Sequence, residues 1–188
     1  MGKIRLGKFV ILLMAVSLFA ATGARDSLAK GSQANRVHII KEVRHELAML
    51  PYYGVFDWIE FEVRPNNTVV LRGQVVRPTT RSDAEARVKC IDGVSGVVNE
   101  IEVLPLSPND DRLRIALYRA IYNWNSPLFR YATQAVPPIH IIVNHGRATL
   151  KGVVASQGDA RLAYLRARGV PGLFDVKNEL QIESEQPR

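Results

Sequence analysis

The chain of 188 residues contains one cysteine, Cys90, so it cannot form an internal disulfide bond. No cysteine follows the apolar run near the N-terminus, so that region has no thiol to carry a lipid anchor. Folded stability must therefore come from packing. The roughly 160 residues beyond the N-terminal segment are enough for two small hydrophobic cores.

Long apolar runs are also scarce. The apolar run over residues 9–21 is shorter than the roughly 20 residues that a membrane-spanning helix needs. It follows three basic residues and precedes the small residues Thr22-Gly23-Ala24, a pattern typical of a secretory signal peptide. We expect a signal peptide over residues 1–24, cleaved after Ala24, with cleavage after Ala29 as the alternative.

Motifs for catalysis or metal binding are absent from the sequence. The four histidines include His38 and His45, which are seven residues apart, whereas metal pairs on a helix are usually spaced by three or four. His140 and His145 flank a predicted hairpin turn, and no catalytic motif accompanies them. We therefore expect no enzyme activity, metal or cofactor, and we expect Cys90 to be a small buried residue.

The positive charge is unevenly distributed. The formal net charge is +7, of which three charges belong to the predicted signal peptide. Residues 25–106 carry 11 basic and 11 acidic residues, whereas residues 107–188 carry 11 basic and 7 acidic ones. This excess indicates an anionic partner for the second half, with a solvated surface as the alternative. Nucleic acid is disfavoured because the excess forms no dense basic stripe and the chain has an export signal.

The second half of the chain repeats the first at a constant offset of 79 residues. The recurring positions include glycines, an asparagine and several apolar residues. They are Leu71, Gly73, Val75, Ala84, Arg87, Gly93, Val97, Asn99 and Glu100, which return as Leu150, Gly152, Val154, Ala163, Arg166, Gly172, Val176, Asn178 and Glu179. The period exceeds that of solenoid repeats, so the pattern indicates a duplicated small domain.

Both copies show the element order helix, strand, strand, helix, strand. In the first copy, Asn35 can cap a helix with a buried stripe of Val37, Ile40, Val43 or Arg44, and Leu47. Strands follow at 59–63 and 69–75, then a helix at 82–92 with a Ser82/Glu85 capping box, and a strand at 97–103. The second copy has helices at 110–123 and 159–168, with strands at 139–143, 148–154 and 176–182.

This order predicts an α+β fold built from two tandem α-β-β-α-β domains. The hairpin must be antiparallel and the strand–helix–strand crossover parallel, which gives each copy a small mixed three-stranded sheet with two helices on one face. We expect a flexible leader at 25–34, domains at 35–104 and 111–183, a linker at 105–110 and a tail at 184–188. A longer, aromatic-rich connection follows the first helix of the second copy.

The shared residues resemble the BON domain, the module named for bacterial osmotically induced and nodulation proteins. The resemblance lies in the segments 69–75 and 93–101 and in their counterparts 148–154 and 172–180. It implies the same α-β-β-α-β fold, a periplasmic or envelope location, no catalysis, and binding to phospholipid surfaces or envelope partners in stress response or envelope maintenance. A chaperone-like or protein-interaction role is the alternative.

The repeated polar and glycine positions are interpreted as structural. These positions are Gly73, Gly93, Asn99, Gly152, Gly172 and Asn178. Glycine within a strand is costly unless a helix backbone passes close by or the strand bulges, which we expect at Gly73 and Gly152. An inward asparagine can bond backbone groups of the adjoining loop.

The first helix of the second copy carries an aromatic and basic face that the first copy lacks. Tyrosine, tryptophan and arginine suit a phospholipid headgroup layer, where rings lie at the interface and guanidinium groups pair with phosphates. We therefore predict peripheral contact with an anionic membrane surface through Arg112, Arg114, Tyr118, Arg119, Tyr122, Trp124 and Arg130. The alternatives are that this face packs against the first copy or the long connection, or binds another protein.

Overall fold

The computed structural model describes residues 20–183, with side-chain burial from residue 33 onwards. The chain divides into two units, residues 1–38 and residues 39–188, and the second unit contains all six strands of the described chain. Most of the predicted signal peptide and the whole predicted tail lie outside the described residues. Within residues 20–183, no helix is both long and apolar enough to cross a membrane.

The elements follow the predicted order in both copies. Domain 1 consists of α1 (Ala20–Ala48), β1 (Trp58–Val63), β2 (Thr68–Val75), α2 (Pro78–Lys89) and β3 (Gly96–Val103). Domain 2 consists of α3 (Pro108–Ile121), a 3₁₀ helix (Pro127–Thr133), β4 (Ile139–Asn144), β5 (Arg147–Val154), α4 (Gln157–Arg168) and β6 (Asp175–Ile182).

Each domain contains one mixed three-stranded sheet. The strand orders are β1-β2-β3 and β4-β5-β6, with an antiparallel hairpin and then a parallel crossover in each. The register is also repeated, because Gly73 lies opposite Ile59 and Gly152 lies opposite Ile139. The predicted α+β fold with two tandem α-β-β-α-β domains is therefore confirmed.

The first helix of each domain contributes three residues to a separate core. Ile39, Val43 and Leu47 of α1 are buried in domain 1. Leu113, Leu117 and Ile121 of α3, each 74 residues later, are buried in domain 2. Val37, predicted for the buried stripe, is instead 62% exposed, and Ile39 is buried in its place.

All four helices begin earlier than predicted, α3 and α4 by two residues and α1 and α2 by more. Residues 25–34 belong to α1 and are helical rather than irregular. The segment contains no proline, and its alanine, leucine, lysine and glutamine residues favour a helix even without an apolar period. Helix α2 begins at Pro78, because proline is well suited to the first helical turn.

The predictions for Ser82 and Cys90 therefore differ from the structure. The Ser82 hydroxyl donates to the carbonyl of Thr79 at 3.0 Å, inside the helix, so the predicted capping box was wrong. Cys90 lies just past the last turn of α2 and is exposed, so its predicted burial was also wrong.

Gly73 and Gly152 are required by the backbone of the neighbouring strand. Their φ angles are +131° and +121°. A Cβ atom at Gly73 would overlap the carbonyl oxygen of Trp58, and one at Gly152 would overlap that of Pro138. The structural interpretation holds, but the close approach is to the start of the paired strand and not to a helix.

Asn99 and Asn178 join the last strand of each domain to its second helix. The Asn99 amide donates to the carbonyl of Arg81 at 3.0 Å, and the Asn178 amide donates to that of Ala160 at 3.2 Å. Each side-chain oxygen accepts from the backbone N–H two residues later, at 3.2 Å in both domains. These asparagines thus bond helix and strand backbone rather than a loop.

Candidate functional site

The structure separates the seven residues predicted to contact lipid. Arg114 is only 3% exposed and Tyr122 is buried. Tyr118 is half-buried, and Arg130 is exposed but bound to Asp159 at 2.5 Å. Arg112, Arg119 and Trp124 are exposed. The seven residues therefore do not form one surface.

Arg114 and Tyr122 close the free edge of β4. The Tyr122 hydroxyl donates to the carbonyl of Ile139 at 2.7 Å and accepts from its N–H at 3.2 Å. The Arg114 guanidinium donates to the carbonyl of Val143 at 2.8 Å. An open strand edge exposes unpaired backbone groups that invite pairing with other chains. The side chains of Arg114 and Tyr122 bond backbone groups of this edge. Their predicted role in membrane contact was therefore wrong, and their role is structural.

Tyr118 and Arg130 are also engaged within the fold. The Tyr118 ring contacts Phe56 of domain 1 with centroids 6.4 Å apart. Asp159 accepts hydrogen bonds from Arg130, Tyr131 and Ser156, which fixes the 3₁₀ helix to the start of α4. Contact with domain 1 was one of the alternatives for this helix, and it accounts for the Tyr118 side of α3.

Trp124 lies at the surface, beside the 3₁₀ helix of domain 2. It is 78% exposed, and its ring contacts Phe129 with centroids 4.8 Å apart. Phe129 lies in the 3₁₀ helix, beside Arg130. Because the Arg130–Asp159 ion pair fixes that helix to α4, the exposed Trp124 ring packs against a fixed element.

The exposed side of α3 continues onto α4. Arg112, Ile115 and Arg119 are three and four residues apart, so they share one face of α3. The neighbouring helix α4 exposes one leucine and three arginines. We name the surface formed by Arg112, Ile115, Arg119, Trp124, Leu165 and Arg166 the domain 2 helix face, because Leu165 and Arg166 line one groove with residues of α3. Arg161 and Arg168 lie on the other side of α4, beside β6.

The arginines of this face have no carboxylate partner in the described part of the chain. The acidic residues of α3 and α4 are engaged elsewhere. Asp110 accepts from the N–H groups of His145 and Gly146, Asp111 pairs with Arg114, and Asp159 binds Arg130. The face is therefore basic and apolar without compensating negative charge.

Domain 1 compensates the corresponding charges. Arg87, the counterpart of Arg166 at the offset of 79, pairs with Glu46 of α1 at 3.0 Å. When the core positions of α1 and α3 are matched at the offset of 74, Glu42 and Glu46 correspond to Ala116 and Ala120. The two alanines line a groove of about 510 Å³ between α3 and α4, together with Leu165 and Arg166.

Sequence reasoning missed the α4 part of this face. The sequence does contain an indication of it, because α3 has alanines where α1 has Glu42 and Glu46. This difference is visible only when α1 and α3 are aligned by their core residues. The single offset of 79 does not align these helices, because the connection that follows α3 is longer than the one that follows α1.

The histidines and Cys90 form no second site. In the described residues, no group of three or more His, Cys, Asp or Glu side chains could hold a metal ion. His145 is exposed, and its Nδ1 lies 2.5 Å from the Asn144 side chain. His140 is buried against domain 1 rather than placed beside the hairpin turn.

Two repeated α-β-β-α-β cores define a tandem α+β protein, and the described part of its second domain carries a basic helix face. The family model of the BON domain matches residues 35–105 and 128–184. The chain therefore belongs to the BON-domain family, as the sequence resemblance predicted. Helix α3 falls between the two matched segments, although its apolar side packs into the domain 2 core.

The similarity of the chain to individual proteins is low. No curated protein matches it. Among solved structures, the C-terminal domain of CdsD, a structural protein of the type III secretion system of Chlamydia trachomatis, has 13% sequence identity and a TM-score of 0.29 over 77% of this chain and 96% of that chain. A second CdsD structure has 14% identity and a TM-score of 0.29 over 78% of this chain and 93% of that chain.

Proposed function

We propose that this chain is an exported, non-enzymatic protein of the bacterial envelope that binds anionic phospholipid surfaces through the domain 2 helix face. The observation that carries the proposal is that the arginines of this face, interleaved with exposed Ile115, Leu165 and Trp124, have no carboxylate partner within residues 33–183. Membership of the BON-domain family supports a binding role at membranes, and the N-terminal pattern supports export.

The arrangement of charge and apolar groups matches the chemistry of a headgroup layer. Guanidinium groups form paired hydrogen bonds with phosphate oxygens, and tryptophan is favoured at the boundary between water and acyl chains. Each basic residue near an anionic surface contributes about 1 kcal/mol. Binding through a few arginines and one tryptophan is therefore weak, reversible and sensitive to salt.

Co-sedimentation with vesicles tests this proposal. We expect retention on vesicles that contain phosphatidylglycerol, little retention on phosphatidylcholine vesicles, and release as the salt concentration rises. The double variant Arg119→Ala/Arg166→Ala should weaken binding about 30-fold, because two contacts of about 1 kcal/mol each are lost.

The matched control is Lys41→Ala/Arg87→Ala, which removes two positive charges from the corresponding helices of domain 1. It should leave vesicle binding within about twofold of the wild type, because Arg87 is already paired with Glu46. In a Trp58→Phe background, the fluorescence of Trp124 should shift to the blue on binding.

Equal weakening by the two double variants would show that net charge, and not this face, determines binding. Retention that ignores both lipid charge and salt would contradict the proposal. Suppression of client aggregation without any vesicle binding would favour a chaperone-like role in place of lipid binding.

A further inference from the structure

Domain 1 contacts the edge and the outer side of β4 through the connection between α1 and β1. The N–H of Ile141 donates to the carbonyl of Val55 at 2.8 Å. Val55 and Phe56 pack against the core of domain 2. We name residues 53–57 the clasp, because this segment of domain 1 supplies a backbone hydrogen bond and apolar contacts to domain 2.

His140 lies at the centre of this contact. It is on β4, is 6% exposed, and its ring lies 5.5 Å from that of Tyr53 and 5.0 Å from that of Trp58. Its Nδ1 is buried without a hydrogen-bond partner. A neutral imidazole tolerates this site, whereas a protonated ring would bury a positive charge.

The environment of His140 opposes its protonation. Burial lowers the pKa of the imidazole, while the carbonyls of Gly54 and Asp57 raise it to a smaller extent. When the two domains separate, the ring enters water and its pKa returns to about 6.5. The open state therefore binds a proton more tightly than the closed state, and acid favours the open state.

The other titratable groups around the contact do not produce the same response. Burial raises the pKa of the Asp57 carboxyl above its ordinary value of 3.8, so the closed state takes up that proton more readily and acid favours closure through this group. Burial also raises the pKa of Tyr53, which stays neutral. The charged groups nearby are Glu60 of β1, Lys151 of β5, Arg77 after β2 and Arg114 of α3.

We propose that His140 is an acid-sensitive latch whose protonation releases the clasp from β4 and separates the two domains. Below about pH 6.5 the ratio of closed to open molecules falls by up to tenfold for each pH unit, until the closed state is also protonated. Above that pH the ratio is constant. The latch acts on the domain contact and is independent of any lipid.

A distance measurement between the domains tests the latch. Cys90 is exposed on domain 1, and a second label can be attached to domain 2 at Gln157→Cys, on the exposed start of α4. We expect the distance distribution between the labels to broaden and lengthen between about pH 7 and pH 5, while the far-ultraviolet circular dichroism stays constant.

Two variants separate the latch from general acid effects. His140→Phe keeps an aromatic ring between Tyr53 and Trp58 but cannot be protonated, so its distance distribution should not change over this range. His145→Phe makes the same substitution at an exposed histidine of the same hairpin and should behave as the wild type. His140→Gln serves as a second non-titrating variant should the phenylalanine variant fold poorly.

An identical opening in the His140→Phe or His140→Gln variant would overturn the latch. Absence of any opening in the wild type down to about pH 4.5 would do the same, as would loss of secondary structure at the same pH as the opening. None of these results depends on vesicle binding, so the latch and the proposed function fail separately.

Discussion

Single side chains complete the second domain where its backbone leaves groups unpaired. Tyr122 and Arg114 bond three backbone groups on the free edge of β4. In the sequence both residues belong to a pattern of tyrosine and arginine at helical spacing, which is equally typical of a lipid contact. The pattern cannot reveal which polar groups face a strand edge, because that edge forms 17 and 29 residues later in the chain.

The substitution Tyr122→Phe tests this role. It removes a hydroxyl that both donates to and accepts from Ile139, so two buried backbone groups lose their partner. We expect the free energy of unfolding to fall by about 1–3 kcal/mol in a denaturant titration, with vesicle binding unchanged. Tyr118→Phe alters a half-buried ring on the same helix and is the control. Weaker vesicle binding at unchanged stability would show that Tyr122 contacts lipid and has no structural role.

At the scale of elements, the strands were predictable to within one residue at each end, whereas the helices were not. Apolar and polar residues alternate in the sequence only where a strand has one buried and one exposed face. The limits of this alternation therefore mark the strand ends well. The starts of α1 and α2 were missed because they depend on local propensity and on Pro78, which neither apolar periodicity nor a capping box reveals. The α4 half of the helix face was missed because the two first helices align at a different offset.

The bond between the last strand and the second helix differs between the domains in a way that can be measured. The Asn99 amide donates to the Arg81 carbonyl and also to Glu85, both at 3.0 Å, whereas Asn178 bonds the Ala160 carbonyl. Asn99→Asp places a carboxylate against a second carboxylate, so its native pKa should be raised. The lost stability should then return as the pH falls through that raised pKa, because the protonated acid donates again.

Denaturant titrations of Asn99→Asp and Asn178→Asp over a range of pH compare the two positions. Near pH 7, Asn99→Asp should be destabilised more, by about 1–3 kcal/mol relative to the wild type. The Asn178→Asp variant meets a carbonyl but no carboxylate and should lose less. Equal losses of unfolding free energy at both positions would show that the hydrogen bond to Glu85 does not contribute to stability.

At the scale of the whole molecule, the two domains differ in how their helix charges are paired and in what they contribute to the contact between them. Domain 1 pairs Arg87 and Lys89 of its second helix with glutamates and supplies the clasp, while the arginines of the domain 2 helix face have no carboxylate partner within residues 33–183. The charge excess of the second half was visible in the sequence. The contact between the domains was not, because it joins residues 53–57 to β4 across more than 80 positions of the chain.

A cut between the domains measures the strength of their contact. Leu106 lies in the linker and is 96% exposed, so a protease site inserted beside it should be cleaved without disturbing either core. We expect the two halves to co-elute in size-exclusion chromatography near pH 8 and to separate near pH 5, because the latch opens in acid.

In the His140→Phe background the cleaved halves should stay together at both pH values. Separation of the wild-type halves near pH 8 would show that the linker, and not the clasp, holds the domains together.

The hydrogen bond from Ile141 to Val55 also bears on how the duplication can evolve. A newly duplicated module is free to diverge or be lost as long as each copy stands alone. Once a connection in the first copy bonds a strand of the second, a gene fragment that encodes only the second copy yields a product in which the Ile141 N–H has lost its partner. The pair has then become a single heritable unit, and mutations in the first copy are selected for their effect on the second.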